Sequence, residues 1–145
     1  MIGLTEIRRK AAEAGLGLEV IERDYVLNWL LWGLFTLPPL RECTVFKGGT
    51  ALRKAYFADY RFSQDLDVTL TRPASAETLQ AMLSDACRAA MAECGIGFSL
   101  AKFAIERDEA GEEAFSARLA YAGPRQQQRE PARLKVDLTA YDVCC

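Results

Sequence analysis

Histidine is absent from this 145-residue sequence, and its five cysteines form no C-x-x-C pair. Zinc sites and histidine-based acid–base catalysis depend on these two residue types, so neither is well supported. Cys87 and Cys94 lie seven residues apart on a predicted helix, which places them on one helix face. We interpret the pair as small buried residues rather than as ligands.

The sequence also lacks a long apolar run. Its most apolar stretch, residues 25–37, is interrupted by Asn28 and closed by two prolines. This stretch is shorter than the roughly 20 residues that a membrane-spanning helix needs. The N-terminus carries no basic segment followed by an apolar run and a cleavage site. We therefore expect a cytoplasmic protein that does not associate with membranes.

An excess of positive charge is missing as well. Eighteen basic and 20 acidic residues give a formal net charge of −2, so the chain as a whole does not attract DNA or RNA. Any contact with nucleic acid must be local. A loop with Arg125, Arg129 and Arg133 offers one such place, although a plain hairpin loop is the simpler interpretation.

The residues that are present predict an α+β fold in a single domain, residues 1–145. Half of the residues are hydrophobic, enough for one core. Period-3.6 patterns predict helices at residues 5–14, 18–35, 51–58 and 73–94, and Trp29, Trp32 and Phe35 are expected in the core. Strands are predicted at residues 43–46, 65–71, 98–106, 114–121 and 133–140, the last three as an antiparallel meander.

Three aspartates on predicted strands form a candidate metal site. Asp65 and Asp67 alternate with apolar residues, so both project from one face of their strand, about 6 to 7 Å apart at the backbone. Asp137 occupies the middle of another strand despite its low strand propensity. Nucleotidyl transfer needs Mg²⁺ held by carboxylate oxygens, and these three residues can supply them. Asp-x-Asp alone is more often a solvated strand face, and the combination of features favours the metal site.

A glycine turn precedes this pair of aspartates. Lys47, Gly48, Gly49 and Thr50 connect a predicted strand to a predicted helix. The two glycines let the backbone approach a ligand, and the N-terminus of the helix presents unpaired N–H groups that bind phosphate. Thr50 can either cap the helix or offer its hydroxyl group to a phosphate oxygen.

Two segments of the sequence resemble a known family. Phe46-Lys47-Gly48-Gly49-Thr50-Ala51-Leu52, followed by Arg61-Phe62-Ser63-Gln64-Asp65-Leu66-Asp67, is similar to the AbiEii/AbiGii toxin family of nucleotidyltransferases. The resemblance implies a minimal nucleotidyltransferase fold like that of DNA polymerase β, with a mixed sheet and helices packed on it. It also implies an Mg²⁺-dependent enzyme that moves a nucleotide from an NTP to an RNA, such as tRNA, or to a protein. Such enzymes are commonly toxins of bacterial toxin–antitoxin or phage-defence systems, so a cognate antitoxin is an expected partner.

The resemblance also implies roles for individual residues. Gly48, Gly49 and Thr50 would face the triphosphate, with Lys47 beside them. Asp65 and Asp67 would hold the metal, and Asp137 would be the third ligand or the base that deprotonates the acceptor. Arg61 and Ser63, in the second segment, would brace the site. Arg61 can alternatively pair with a carboxylate of the strand.

The sequence departs from the family at its C-terminal end. Family members usually continue past the third acidic strand into a helical half, and this sequence is expected to lack that half. The alternative function is therefore a catalytically silent fragment that keeps the fold and acts by binding a partner. The identity of the NTP, the acceptor and the oligomeric state do not follow from the sequence.

Overall fold

The computed structural model describes residues 1–38, 42, 44–47, 65–72, 74–107, 109, 111, 113–124 and 132–139. Its helices are α1 (Leu4–Ala14), α2 (Leu18–Thr36) and α3 (Ala76–Cys94). Its strands are β1 (Thr44–Lys47), β2 (Asp65–Leu70), β3 (Gly97–Arg107), β4 (Glu113–Ala122) and β5 (Ala132–Thr139). The predicted elements are confirmed to within three residues at each end, except the helix at 51–58, which lies outside the described residues.

All five strands belong to one mixed sheet in the order β1-β2-β5-β4-β3. β2 and β5 run parallel, whereas the other neighbouring strands are antiparallel. The succession β3, β4, β5 is the antiparallel meander expected from the sequence. Because β5 returns beside β2, two strands that are far apart in the chain become neighbours.

The main core lies between one face of the sheet and the two long helices. Alternate residues of β2 and β5 point into it, and α2 and α3 add apolar residues spaced one helical turn apart. Fully buried members include Leu66, Val136, Leu30 and Leu83. Each such side chain stabilises the fold by about 1.5–3 kcal/mol. The sheet is therefore fixed with its apolar face toward the helices and its polar face turned away from them.

Helix α3 begins later than the sequence predicted. Ser75 caps it: the Ser75 hydroxyl oxygen accepts a hydrogen bond from the backbone N–H of Thr78 at 3.2 Å. At the other end Gly95 adopts the left-handed conformation (φ 77°), and its N–H donates to the carbonyl of Met91 at 2.9 Å. The two caps set the length of the helix that covers the sheet.

Helices α2 and α3 cross closely at Gly33. A Cβ atom placed there would lie 2.5 Å from the backbone carbonyl oxygen of Ala86. Only a glycine allows this approach of the two backbones. Cys87 and Cys94 are buried in α3, which confirms the interpretation of both as small core residues.

A second, smaller core joins α1 to α2. Ile7 and Ala11 of α1 pack against Ile21 of α2. The N–H of Ile2 donates a hydrogen bond to the Tyr25 hydroxyl oxygen at 2.9 Å. Helix α1 thus packs on α2 and extends the helical layer.

One expectation about the core is wrong. Trp32 is 38% exposed and makes an edge-to-face contact with the ring of Trp29. It lies on the side of α2 away from the buried positions Leu30 and Leu34, because the helix is apolar around its whole circumference while only one side meets the core.

None of the helices that the structure describes has the length and apolar character needed to cross a membrane.

Candidate metal and nucleotide site

The polar face of the sheet carries all three predicted aspartates. In β2, Leu66, Val68 and Leu70 are buried, so Asp65 and Asp67 point to the opposite face. In β5, Leu134, Val136 and Leu138 are buried, which turns Asp137 to the same opposite face. The alternation that builds the core therefore also builds the candidate site.

Asp67 and Asp137 are direct neighbours across the parallel strands β2 and β5. Neighbouring strands lie about 4.8 Å apart, and paired residues project side by side from one face. Asp67 is half-buried, and the Asp137 side chain is 29% exposed. Two carboxylates in this position repel each other unless a cation lies between or beside them. A pair of this kind is a natural place for a bound cation.

A lysine side chain supplies one positive charge at this pair. The Lys135 ammonium nitrogen lies 3.5 Å from Asp137 Oδ2. Asp65 pairs in register with Lys135, two residues along the strands from Asp67 and Asp137. Its side chain is exposed. Among the described residues, no three His, Cys, Asp or Glu side chains are close enough to bind one ion. The structure thus brings Asp67 and Asp137 together and leaves Asp65 at their margin.

Two adjacent carboxylates suit magnesium. Mg²⁺ prefers oxygen ligands and is commonly bound by one or two carboxylates together with substrate phosphates and water. Asp67 and Asp137 provide such oxygens from half-buried positions on the polar face. The donor set therefore fits Mg²⁺.

Further polar residues of the same face surround the pair. Ser116 of β4 is in register with Asp137 and only 9% exposed. Thr69 and Thr139 lie two residues farther along β2 and β5 than the pair, and their hydroxyl oxygens are 3.4 Å apart. Sequence reasoning missed Ser116, because alternation in β4 gives its face but not its register with β5.

The predicted phosphate-binding residues are only partly described. Lys47 is the last residue of β1, and its backbone pairs with Asp67. The other five, namely Gly48, Gly49, Thr50, Arg61 and Ser63, lie outside the described residues. In the chain, Gly48 directly follows Lys47.

A cleft lies between α1 and α2. This cleft of about 380 Å³ is lined by Lys10, Glu13, Asp24 and Asn28, among others. It is formed by the helical layer and includes none of the three predicted aspartates. The cleft and the acidic pair are thus separate candidates.

A mixed sheet with aspartates on adjacent parallel strands, after a strand that two glycines follow in the sequence, is the arrangement of a nucleotidyltransferase fold. The chain belongs to the family described as "Nucleotidyl transferase AbiEii toxin, Type IV TA system", whose model matches residues 29–144. The match contains Asp65, Asp67 and Asp137. All residues that line the cleft between α1 and α2 precede residue 29, so we place the candidate site at the aspartates.

A solved structure has the same fold. The crystal structure of JHP933 from Helicobacter pylori aligns with a TM-score of 0.56 and 22% sequence identity, over 90% of this chain and 47% of that chain. The chain thus spans about half the length of this structural relative. A search of curated proteins finds no match.

Proposed function

We propose that this chain binds an NTP with Mg²⁺ at Asp67 and Asp137 and takes part in transfer of a nucleotide to an acceptor, which is an RNA such as tRNA or a protein. The observation that carries the proposal is the register of Asp67 with Asp137 on the polar face. The family match supports it, because the matched model is that of a nucleotidyltransferase toxin.

Each part of the site has a proposed role. Asp67 and Asp137 hold the metal, and Asp65 acts as a further ligand from its neighbouring position. The metal would neutralise charge on the triphosphate and orient it. Gly48, Gly49 and Thr50, with Lys47, bind the phosphates, and Arg61 and Ser63 brace them. Asp137 accepts the proton of the acceptor if it does not ligate the metal.

The family match supports a proposal about the biological setting. A type IV toxin–antitoxin system supplies a cognate antitoxin, and we propose that antitoxin as the partner and the cytoplasm as the place of action. Phage defence is the proposed role of such a pair. We also propose that residues 1–145 fold as one domain.

Nucleotide binding by charge-neutral variants tests the site. We expect Asp67→Asn and Asp137→Asn to weaken binding of Mg²⁺–NTP, measured by calorimetry, by about tenfold or more, because each removes a charged ligand. Asp85→Asn is the matched control: Asp85 is an exposed aspartate on α3, in the helical layer, paired with Arg88. Unchanged nucleotide binding in both site variants would refute the site.

Transfer is measured separately with a labelled NTP, Mg²⁺ and RNA or protein acceptors. We expect label on an acceptor, and its loss on chelation of Mg²⁺ or in the Asp67→Asn variant. The alternative function is a fragment that keeps the fold and binds partners without turnover. Binding of Mg²⁺–NTP without any transfer would support that alternative.

A further inference from the structure

Three basic side chains form a row across the polar face, which we call the basic row: Lys135, Arg118 and Lys102. They come from the adjacent strands β5, β4 and β3. Arg118 pairs in register with Lys135 on one side and with Lys102 on the other. Neighbouring strands are about 4.8 Å apart, so the row extends over about 10 Å.

This arrangement runs against the usual preference of sheets. Like charges directly opposite each other on neighbouring strands are destabilising. Arg118 nevertheless has a cationic neighbour on both sides, and both Arg118 and Lys102 are exposed. Among the described residues, Lys135 is the member of the row that forms an ion pair, and its partner is Asp137. An anion from outside the chain would relieve the repulsion.

A β-bulge puts the third cation into the row. The register of β3 and β4 shifts between Leu100, which pairs with Leu119, and Lys102, which pairs with Arg118. A regular ladder would place Ala101 opposite Arg118 and turn Lys102 toward the helices. The extra residue instead sends Phe103 to the core face, where its ring packs 5.7 Å from that of Phe115, and Lys102 to the polar face.

The row has a defined position relative to the acidic pair. Asp65 stands at its β2 end, and the pair Asp67 and Asp137 is the next row of the same face, about 7 Å along the strands. β1, which Gly48 directly follows in the sequence, lies on one side of β2, whereas the basic row extends on the other side through β5, β4 and β3. Strand β1 and the basic row thus flank the carboxylates from opposite sides.

We propose that the basic row binds the phosphate backbone of a nucleic-acid acceptor strand and positions its reacting end beside Asp67 and Asp137. This inference rests on the proposed function, and it selects a nucleic acid over a protein as acceptor. Arg and Lys side chains bind phosphates without reading sequence, so they fix register and orientation. Because the chain has a net charge of −2, a local row of cations is the means by which it attracts such a strand.

Binding of a labelled single-stranded RNA to the full chain, without NTP or Mg²⁺, tests the row. We expect Lys102→Gln/Arg118→Gln to weaken RNA binding by about tenfold, because two phosphate contacts are lost. The slope of log affinity against log salt should become shallower by about 1.4, since each contact to a single strand contributes about 0.7. Arg88→Gln/Arg107→Gln is the control, because it removes two charges from α3 and from the far end of β3. Calorimetry with Mg²⁺–NTP shows whether the nucleotide site is intact in each variant.

Equal affinity and equal salt slope in wild type and the row variant would overturn the inference, as would loss of RNA binding in the control to the same extent. Nucleotide transfer to a protein at an undiminished rate by the row variant would also overturn it. If wild type fails to bind Mg²⁺–NTP while RNA binding still depends on the row, the row stands and the nucleotide site falls. The two proposals can therefore fail independently.

Discussion

Among the residues that the structure describes, Lys135 contributes positive charge at the acidic pair. Asp67 and Asp137 bring two negative charges to adjacent positions, and the Lys135 ammonium group lies 3.5 Å from Asp137. In the absence of a metal, this lysine offsets part of the repulsion between the carboxylates. When a divalent cation binds there, the same positive charge opposes it. Lys135 is therefore expected to lower the affinity of the site for a metal ion that binds without a triphosphate.

Substitution of Lys135 tests this balance. We expect Lys135→Gln to tighten binding of Mg²⁺ alone by about fivefold, which corresponds to about 1 kcal/mol of repulsion between charges near a solvated surface. Lys102→Gln is the control, because Lys102 lies two strands farther away on the same face. Titration of both variants with Mg²⁺ gives the comparison. Weaker Mg²⁺ binding by Lys135→Gln would show that Lys135 supports the metal site instead.

Cys87 gives the stability a predictable pH dependence. Burial raises the pKa of its thiol from 9.0 to about 11. Between these pH values the folded chain keeps the thiol proton that the unfolded chain releases. The contribution of Cys87 to stability is therefore fully present below pH 9 and is lost as pH rises toward 11. Two pKa units correspond to about 2–3 kcal/mol. Urea denaturation from pH 8 to about pH 11 should therefore show a steeper fall for wild type than for Cys87→Ala; parallel curves would contradict the assignment.

Some residue-level features follow from the sequence and others do not. Alternation of Asp65 and Asp67 with buried residues predicts their common face, because a core has only one side of the strand to occupy. The neighbour of Asp67 is not predictable in this way. That Asp137 and not Lys135 stands beside it depends on the register of two strands separated by α3 and two other strands.

Strand β3 shows why element-level patterns can mislead. Counting by twos from the core residues Phe98 and Leu100 would place Lys102 on the core face. The bulge at Ala101 reverses the alternation, so that Phe103 packs on the core instead. A sequence pattern does not locate a single inserted residue, because alternation within β3 does not give its register with β4. The basic row was therefore not predictable, although the strand itself was.

The crossing of α2 and α3 provides a test at the level of elements. Alanine in a helix is favoured over glycine by about 1 kcal/mol, so Gly33→Ala would stabilise an isolated α2. In the folded chain its Cβ would lie 2.5 Å from the Ala86 carbonyl oxygen. We expect a net loss of about 1–3 kcal/mol, measured by urea denaturation.

Gly97→Ala is the matched control for this crossing. A Cβ at Gly97 would meet the Ala122 Cβ at 3.9 Å, an ordinary contact at the start of β3. This variant should be neutral or slightly stabilising, because alanine restricts the unfolded chain. If Gly33→Ala is as stable as Gly97→Ala, the two helices do not cross as closely as described.

On the scale of the whole molecule, the family match and the fold do not begin at the same residue. The match starts at residue 29, in the middle of α2. Val26 and Leu27 precede that point and are fully buried in the main core, whereas α1 contributes to the smaller core through Ile7 and Ala11. The folding unit must therefore include all of α2, while α1 is an addition to it.

Two N-terminal deletions separate these contributions. A chain of residues 17–145 loses α1 and with it the buried Ile7, and we expect it to fold cooperatively with about 2–4 kcal/mol less stability. It should still bind Mg²⁺–NTP, because Asp67 and Asp137 lie on the opposite face of the sheet from the helices. A chain of residues 29–145 also loses Val26 and Leu27 and half of α2, a total of about 6–12 kcal/mol of burial, which is comparable with the entire stability of a domain. Circular dichroism and urea denaturation of both chains give the answer: a cooperative transition in the shorter chain would show that the family segment folds without the first half of α2.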